Sequence, residues 1–237
     1  MDELIKIDNL RKVYTVGNEK VVALDKINLS IGRGEICCVL GTSGSGKSTL
    51  LNMIAGLEKP SSGQVKIGKY DIVKMNETQL AKFRQKHIGF VFQSYNLIAQ
   101  STATENVSMP LMFRGVDKKE RTRRAKEMLE NVSLGERCNH LPTQMSGGQQ
   151  QRVGIARAFV SNPNIVFADE PTGNLDSKTT KEVMELIVKL SREHNQTVIL
   201  VTHDPSIALY ADRIVHIIDG NVDSDKLNTS IVPREEM

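Results

Sequence analysis

The sequence predicts an α/β fold built on a parallel sheet, with an antiparallel β segment at the N-terminus and a helical segment inserted near the middle. Three observations carry this reading. The runs Ile36–Leu40, Ile165–Asp169 and Thr197–Thr202 are apolar throughout most of their length, as strands covered on both faces are. Helical periodicity lies between such runs, as at Val183, Leu186, Ile187 and Leu190. Alternation of the two patterns implies a parallel sheet flanked by helices, and only residues 94–160 break it, with no convincing strand.

Taken in order, Leu4, Ile5 and Ile7 precede Val13 and Tyr14 in a strand-like segment. Ile27, Leu29 and Ile31 alternate with polar neighbours, the period of a half-buried strand. Gly32-Arg33-Gly34 turns the chain into Ile36–Leu40, and a helix is expected over 47–55. Residues 63–67 and Ile88–Phe92 read as further strands. Ala125, Met128, Leu129 and Val132 have the spacing of one buried helix face. Strand and helix alternate again from Ile165, ending in a strand at 214–218. Residues 1–222 thus read as one domain with about 94–160 inserted in it, and 223–237 as a polar, loosely held tail.

At 237 residues the chain is long enough to bury a core without disulfides. No run approaches the roughly 18 apolar residues of a membrane span. The acidic start, Met1-Asp2-Glu3, is not that of a signal peptide. With 31 basic and 28 acidic residues the net charge is only +3, so no nucleic-acid partner is expected. The basic run at 118–126 is interrupted by Glu120 and reads as a solvated helix face. Cys37, Cys38 and Cys138 have no metal-ligand spacing, and their odd number argues for a reduced, cytoplasmic chain.

The chemistry concentrates at strand ends. Gly41-Thr42-Ser43-Gly44-Ser45-Gly46-Lys47-Ser48, continued by Thr49, is a complete G-x-x-x-x-G-K-S loop between a strand and a helix. Its glycines let successive N–H groups face phosphates. Lys47 is placed for the β- and γ-phosphates, and Ser48 for Mg²⁺. Asp169 and Glu170 close an apolar strand pattern, at the sheet edge where open α/β folds bind ligands. Strand alternation would turn these acids to opposite sides, giving Asp169 to the Mg²⁺ shell and Glu170 to the attacking water. His203 follows another apolar strand, beside the expected γ-phosphate. Ser146-Gly147-Gly148-Gln149 begins a helix pattern and forms a second anion site at a helix N-terminus. Two phosphate-binding segments in one chain are explained by two-fold symmetry, each copy's second segment closing over nucleotide held by the other.

In this order, the G-x-x-x-x-G-K-S loop, Ser146–Gln149, Asp169-Glu170 and His203 resemble the ATP-binding cassette of ABC transporters over almost the whole chain. The resemblance implies a P-loop NTPase (RecA-like) core, ATP and Mg²⁺ as cofactors, and an active ATPase. It also implies an ATP-dependent homodimer. Tyr14 matches the aromatic that stacks on adenine, and Gln93 the glutamine that touches Mg²⁺ and water. Asp176 matches the acid that reaches across the dimer. Met145 stands where Leu is usual. Gly173-Asn174 replaces the common Ser-Ala, which leaves the cross-dimer contacts there open.

The wording of Gln149 to Val153, Pro171 to Ser177 and Ser48 to Asn52 is similar to the LolD/MacB-type cassettes. Those serve lipoproteins, macrolides or antimicrobial peptides through a MacB/FtsX-like membrane permease. The implied location is therefore cytoplasmic, peripheral on the inner face of the membrane. The related FtsE-type cassettes, which signal across the membrane without transport, are the alternative. A soluble non-transport ABC ATPase is a second alternative, opposed by the short interval from Lys47 to Ser146 and by the lack of zinc cysteines.

Overall fold

The structure, a computed structural model, describes residues 2–230. In chain order the strands are β1 (Glu3–Val16), β2 (Glu19–Gly32), β3 (Ile36–Leu40), β4 (Ser62–Ile67), β5 (Tyr70–Asp71), β6 (Ile88–Phe92), β7 (Ile165–Asp169), β8 (Thr197–Thr202), β9 (Arg213–Ile218) and β10 (Asn221–Leu227). The helices are α1 (Lys47–Ile54), α2 (Glu77–His87), α3 (Ala103–Phe113), α4 (Lys118–Asn131), α5 (Gly147–Phe159), α6 (Ser177–Glu193) and the short α7 (Pro205–Ala208). The chain forms two compact units: Met1–Arg84 with Thr197–Met237, and Gln85–Gln196.

In the first unit, β1 and β2 form a long antiparallel hairpin, turned at Gly17 with φ +61°. β4 and β5 extend it in the order β2-β1-β4-β5. Alternate residues Ile5, Ile7, Ile27, Leu29 and Ile31 are buried, as the period-2 pattern requires. A second layer is parallel at its centre: β3 pairs β8 on one side and β9 on the other. Cys37 and Cys38 are buried in β3, where Cys acts as a small hydrophobe.

The expected loose tail beginning at Asp223 is corrected here. β10 runs antiparallel to β9 as far as Leu227, because Asp225 is paired with Arg213 and every second residue lies outward on an edge strand. A polar composition mimicked a tail where it marks a solvated strand. Residues 231–237 of that call lie outside the described residues.

In the second unit, β6 and β7 are parallel, with Phe90 stacked on Phe167 at 5.5 Å between ring centres. Helices alone follow from Thr102 to Phe159, apart from short single turns. Thr102 caps α3 reciprocally with Glu105, which fixes where that helix starts. α4 buries Ala125, Met128 and Leu129, and its outward face is laced by Arg123–Glu120, Arg123–Glu127 and Arg124–Glu120 ion pairs. The basic run is thus a solvated helix face. Among the described residues no helix is long and apolar enough to cross a membrane.

Candidate functional site

The first unit builds a phosphate cradle from the chain around β3. Gly44 and Gly46 have φ of +81° and +105°, in the left-handed region that glycine enters without steric cost. A Cβ on Gly41 would stand 2.3 Å from the Ile217 carbonyl, and one on Gly46 2.6 Å from the Ala23 carbonyl. The Gly220 N–H donates to the Ser45 carbonyl at 2.9 Å, so the β9–β10 turn holds the loop from outside. Lys47 is buried, and its ammonium curls back to donate to the Thr42 carbonyl at 2.8 Å. Ser45 is buried, and its hydroxyl has no hydrogen-bond partner among the described residues. Left-handed glycines, an ammonium and a buried hydroxyl fit a polyphosphate, and α1 adds its N-terminal dipole.

His203 joins this cradle through the sheet register. Leu40 pairs with Thr202, and the Gly41 N–H donates to the Thr202 carbonyl at 3.4 Å. The residue after β8 therefore lies beside the first residue of the loop. Tyr14 sits on β1 and donates its hydroxyl to Glu58 at 2.9 Å. The Lys12 ammonium lies 4.8 Å from the centre of the Tyr14 ring and 3.2 Å from Glu58. Burial and the carboxylate raise the Tyr14 pKa. Burial pushes the Glu58 carboxyl up, but its hydrogen bonds to Tyr14 and Lys12 outweigh this and hold it below the usual value. Thr42, Ser43 and Ser48 are exposed and Thr49 is half-buried, placing their polar groups on the open side of the loop and α1.

The second unit holds the acids. Phe92 pairs with Asp169, so Gln93 and Glu170 leave neighbouring strand ends side by side. The expected strand alternation between Asp169 and Glu170 is corrected by the backbone. β7 ends at Asp169, and Glu170 has φ +45°, a left-handed conformation costing a non-glycine residue about 1–3 kcal/mol. A turn closed by the Gly173 N–H to the Glu170 carbonyl at 3.1 Å holds it there. Strand parity therefore stops at Asp169 and does not extend to Glu170.

Ser146 caps α5, accepting from the Gln149 N–H at 3.3 Å, while the Gln149 side chain accepts from the Ser146 N–H at 3.1 Å. Helix geometry leaves the N–H groups of Gly147 and Gly148 without an acceptor in the helix, aimed outward from its N-terminus. Both positions are crowded by side chains. A Cβ on Gly147 would stand 2.8 Å from the Tyr95 hydroxyl, and one on Gly148 2.6 Å from the Thr179 methyl. Asp176 caps α6, accepting from the Lys178 and Thr179 N–H groups and from the Thr179 hydroxyl at 2.7 Å. These bonds, the Thr179 N–H first, hold its carboxyl below the ordinary value.

Residues 24–173 match the family described as ABC transporter. The chain belongs to this family. It is an ABC-type ATP-binding cassette and an ATP hydrolase. The cassette is 47% identical to MJ0796 of Methanocaldococcus jannaschii, described as an uncharacterized ABC transporter ATP-binding protein, over 94% of this chain and 97% of that protein. It is 44% identical to the macrolide export ATP-binding/permease protein MacB of Vibrio parahaemolyticus, over 99% of this chain but 36% of that protein. The cassette thus spans about a third of the length of that relative. A solved structure described as a dimeric post-hydrolysis state of MJ0796 bound to ADP and Pi superposes with a TM-score of 0.87 at 45% identity, covering 94% of this chain and 98% of that one.

Of the donors expected for Mg²⁺, the Ser48 hydroxyl lies in the first unit and the Gln93 amide and Asp169 carboxylate in the second. These are hard oxygen ligands of the kind Mg²⁺ takes alongside phosphate oxygens. Among the described residues no group of three or more His, Cys, Asp or Glu could hold a metal by itself. Sequence reasoning missed Lys12 and Glu58 beside Tyr14, and Asn52, whose Nδ2 donates to Glu58 at 3.2 Å, since nothing in their spacing distinguishes them from surface polar residues. It flagged Asn174 only as a departure from the family wording.

Proposed function

We propose that two copies of this cassette bind two ATP and two Mg²⁺ between them, close, hydrolyse and reopen, and that this cycle drives a MacB/FtsX-like membrane permease. The observation that carries the reading is the pair of anion-binding segments in one chain: the cradle at Gly41–Thr49 and the capped N-terminus of α5. One nucleotide needs only the cradle, so the α5 N-terminus with its Ser146 cap serves the nucleotide of a second copy. Relatives described as dimeric cassettes support this.

In this reading Lys47 and the loop N–H groups bind the phosphates, and Tyr14 stacks on adenine. Ser48, Gln93 and Asp169 hold Mg²⁺, which supplies charge neutralisation on the phosphate oxygens. Glu170 orients and polarises the attacking water, and His203 contacts the γ-phosphate. Asp176 reaches the facing copy. Catalysis by these groups is mostly positioning and charge stabilisation.

The cargo proposed is a macrolide, lipoprotein or antimicrobial peptide moved outward, with the cassette on the inner face of the membrane; relatives described as macrolide export ATP-binding/permease proteins support the first of these. Size-exclusion chromatography of the Glu170→Gln variant tests the core of the reading. A shift from monomer to dimer only with ATP and Mg²⁺ is expected. A variant that stayed monomeric would remove the role given to Ser146.

A further inference from the structure

Gln93 and Asn174 grip each other from neighbouring loops of the second unit. The Asn174 Nδ2 donates to the Gln93 backbone carbonyl at 3.1 Å, and the Gln93 Nε2 donates to the Asn174 Oδ1 at 3.4 Å. The first bond decides the second. A backbone carbonyl can only accept, so Asn174 must turn its NH₂ toward Gln93 and is left with its oxygen for the Gln93 side chain. That oxygen can receive only the Gln93 NH₂. The Gln93 Oε1 is thereby turned away from Asn174, as an acceptor free of that pair.

Gly173 makes the grip possible. A Cβ there would stand 2.6 Å from Gln93 Nε2, 3.1 Å from its Cδ and 3.3 Å from its Cγ. The loop beyond Gln93 is held independently. Tyr95 and Asn96 are both left-handed, with φ of 60° and 48°, and the Arg157 guanidinium donates to both of their carbonyls at 2.7 and 2.5 Å. With the backbone held by α5, the orientation of the Gln93 amide is decided at residues 173 and 174.

We propose that Gly173 and Asn174 are positioning residues that set the Gln93 amide with its oxygen toward Mg²⁺ and water. The seat also makes that setting answer to the segment that ends in Asp176. This inference rests on the role given to Gln93 above. A movement of the Asp176 segment on dimer closure would move the seat, and with it the oxygen.

The test is a double-mutant cycle read by steady-state ATPase activity as a function of Mg²⁺, with thermal melting alongside. Asn174→Ala and Gly173→Ala should each raise the Mg²⁺ concentration for half-maximal rate by roughly three- to ten-fold, the scale of one lost hydrogen bond. The KM for ATP and the melting temperature should stay unchanged. Gly173→Ala should have no further effect in a Gln93→Ala background, where the atoms it would strike are gone. An unchanged Mg²⁺ dependence in both single variants, or an equal effect of Gly173→Ala with and without the Gln93 side chain, would overturn the seat alone. If Gln93→Ala itself left the Mg²⁺ dependence untouched, the role of Gln93 and the seat would fall together.

Discussion

Tyr14 donates to Glu58 at 2.9 Å while the Lys12 ammonium lies 4.8 Å from the centre of its ring. The ring is thereby held at its hydroxyl edge and by a cation, before any base arrives. Preorganisation of this kind lowers the entropy cost of stacking. Tyr14→Ala should weaken ATP binding about ten-fold, the worth of one base–aromatic stack. Tyr14→Phe should keep most of that affinity. Titration with a fluorescent ATP analogue measures both.

The same contact predicts a pH dependence of stability. The folded Glu58 carboxyl titrates below its ordinary value of 4.5. Between the two values the unfolded chain binds more protons, so the stabilisation is complete above 4.5 and is lost as pH falls through the folded value. The advantage of the parent over Glu58→Gln in denaturant melts should therefore shrink through that acid window. Equal advantages at neutral and acid pH would remove Glu58 from this role.

Glu170→Gln should lower the steady-state rate by about a hundred-fold or more, as loss of a positioned general base does. ATP affinity should be retained, because the phosphate contacts proposed above lie in the loop at Gly41–Thr49 and not at Glu170. A variant that hydrolysed at the parent rate would transfer the role to another group at the site.

Gly148 offers a steric test of the α5 N-terminus. Alanine in place of a helical glycine ordinarily stabilises by about 1 kcal/mol. Here the new methyl would stand 2.6 Å from the Thr179 Cγ2, a contact that must be relieved by movement. Gly148→Ala should lower ATPase activity, and Thr179→Ser, which removes that methyl and keeps the hydroxyl on Asp176, should restore much of it. Absence of rescue would mean that Gly148 is required for close approach of nucleotide instead.

Thr102→Ala removes one half of the reciprocal cap on α3. A loss of about 1 kcal/mol in stability is expected, with ATPase activity per folded molecule unchanged. Denaturant unfolding measures the first and active-site titration the second.

Much of the site was legible in the order of residues. Glycines around Lys47, an apolar run into Asp169 and another into His203 are local signals, because a phosphate loop and a strand end are made by residues adjacent in the chain. Other features depend on residues brought together from afar. The partnership of Tyr14 with Glu58, separated by 44 positions, has no periodicity to betray it. β10 was hidden for a related reason: an edge strand with a solvated face has a polar composition, and only pairing with β9 distinguishes it from a tail.

The sequence by itself determined the α/β alternation, the phosphate loop and the helix that begins at Ser146, since each follows from neighbours along the chain. Tertiary structure alone decided that Glu170 bends into the left-handed region, that Thr179 and Tyr95 occupy the space a side chain on Gly148 and Gly147 would take, and that Asn174 orients Gln93. The physical reason is range. Backbone preference and amphipathic period act over a few residues, whereas a steric limit or a hydrogen-bond polarity is set by whichever distant side chain packing places within 3 to 4 Å.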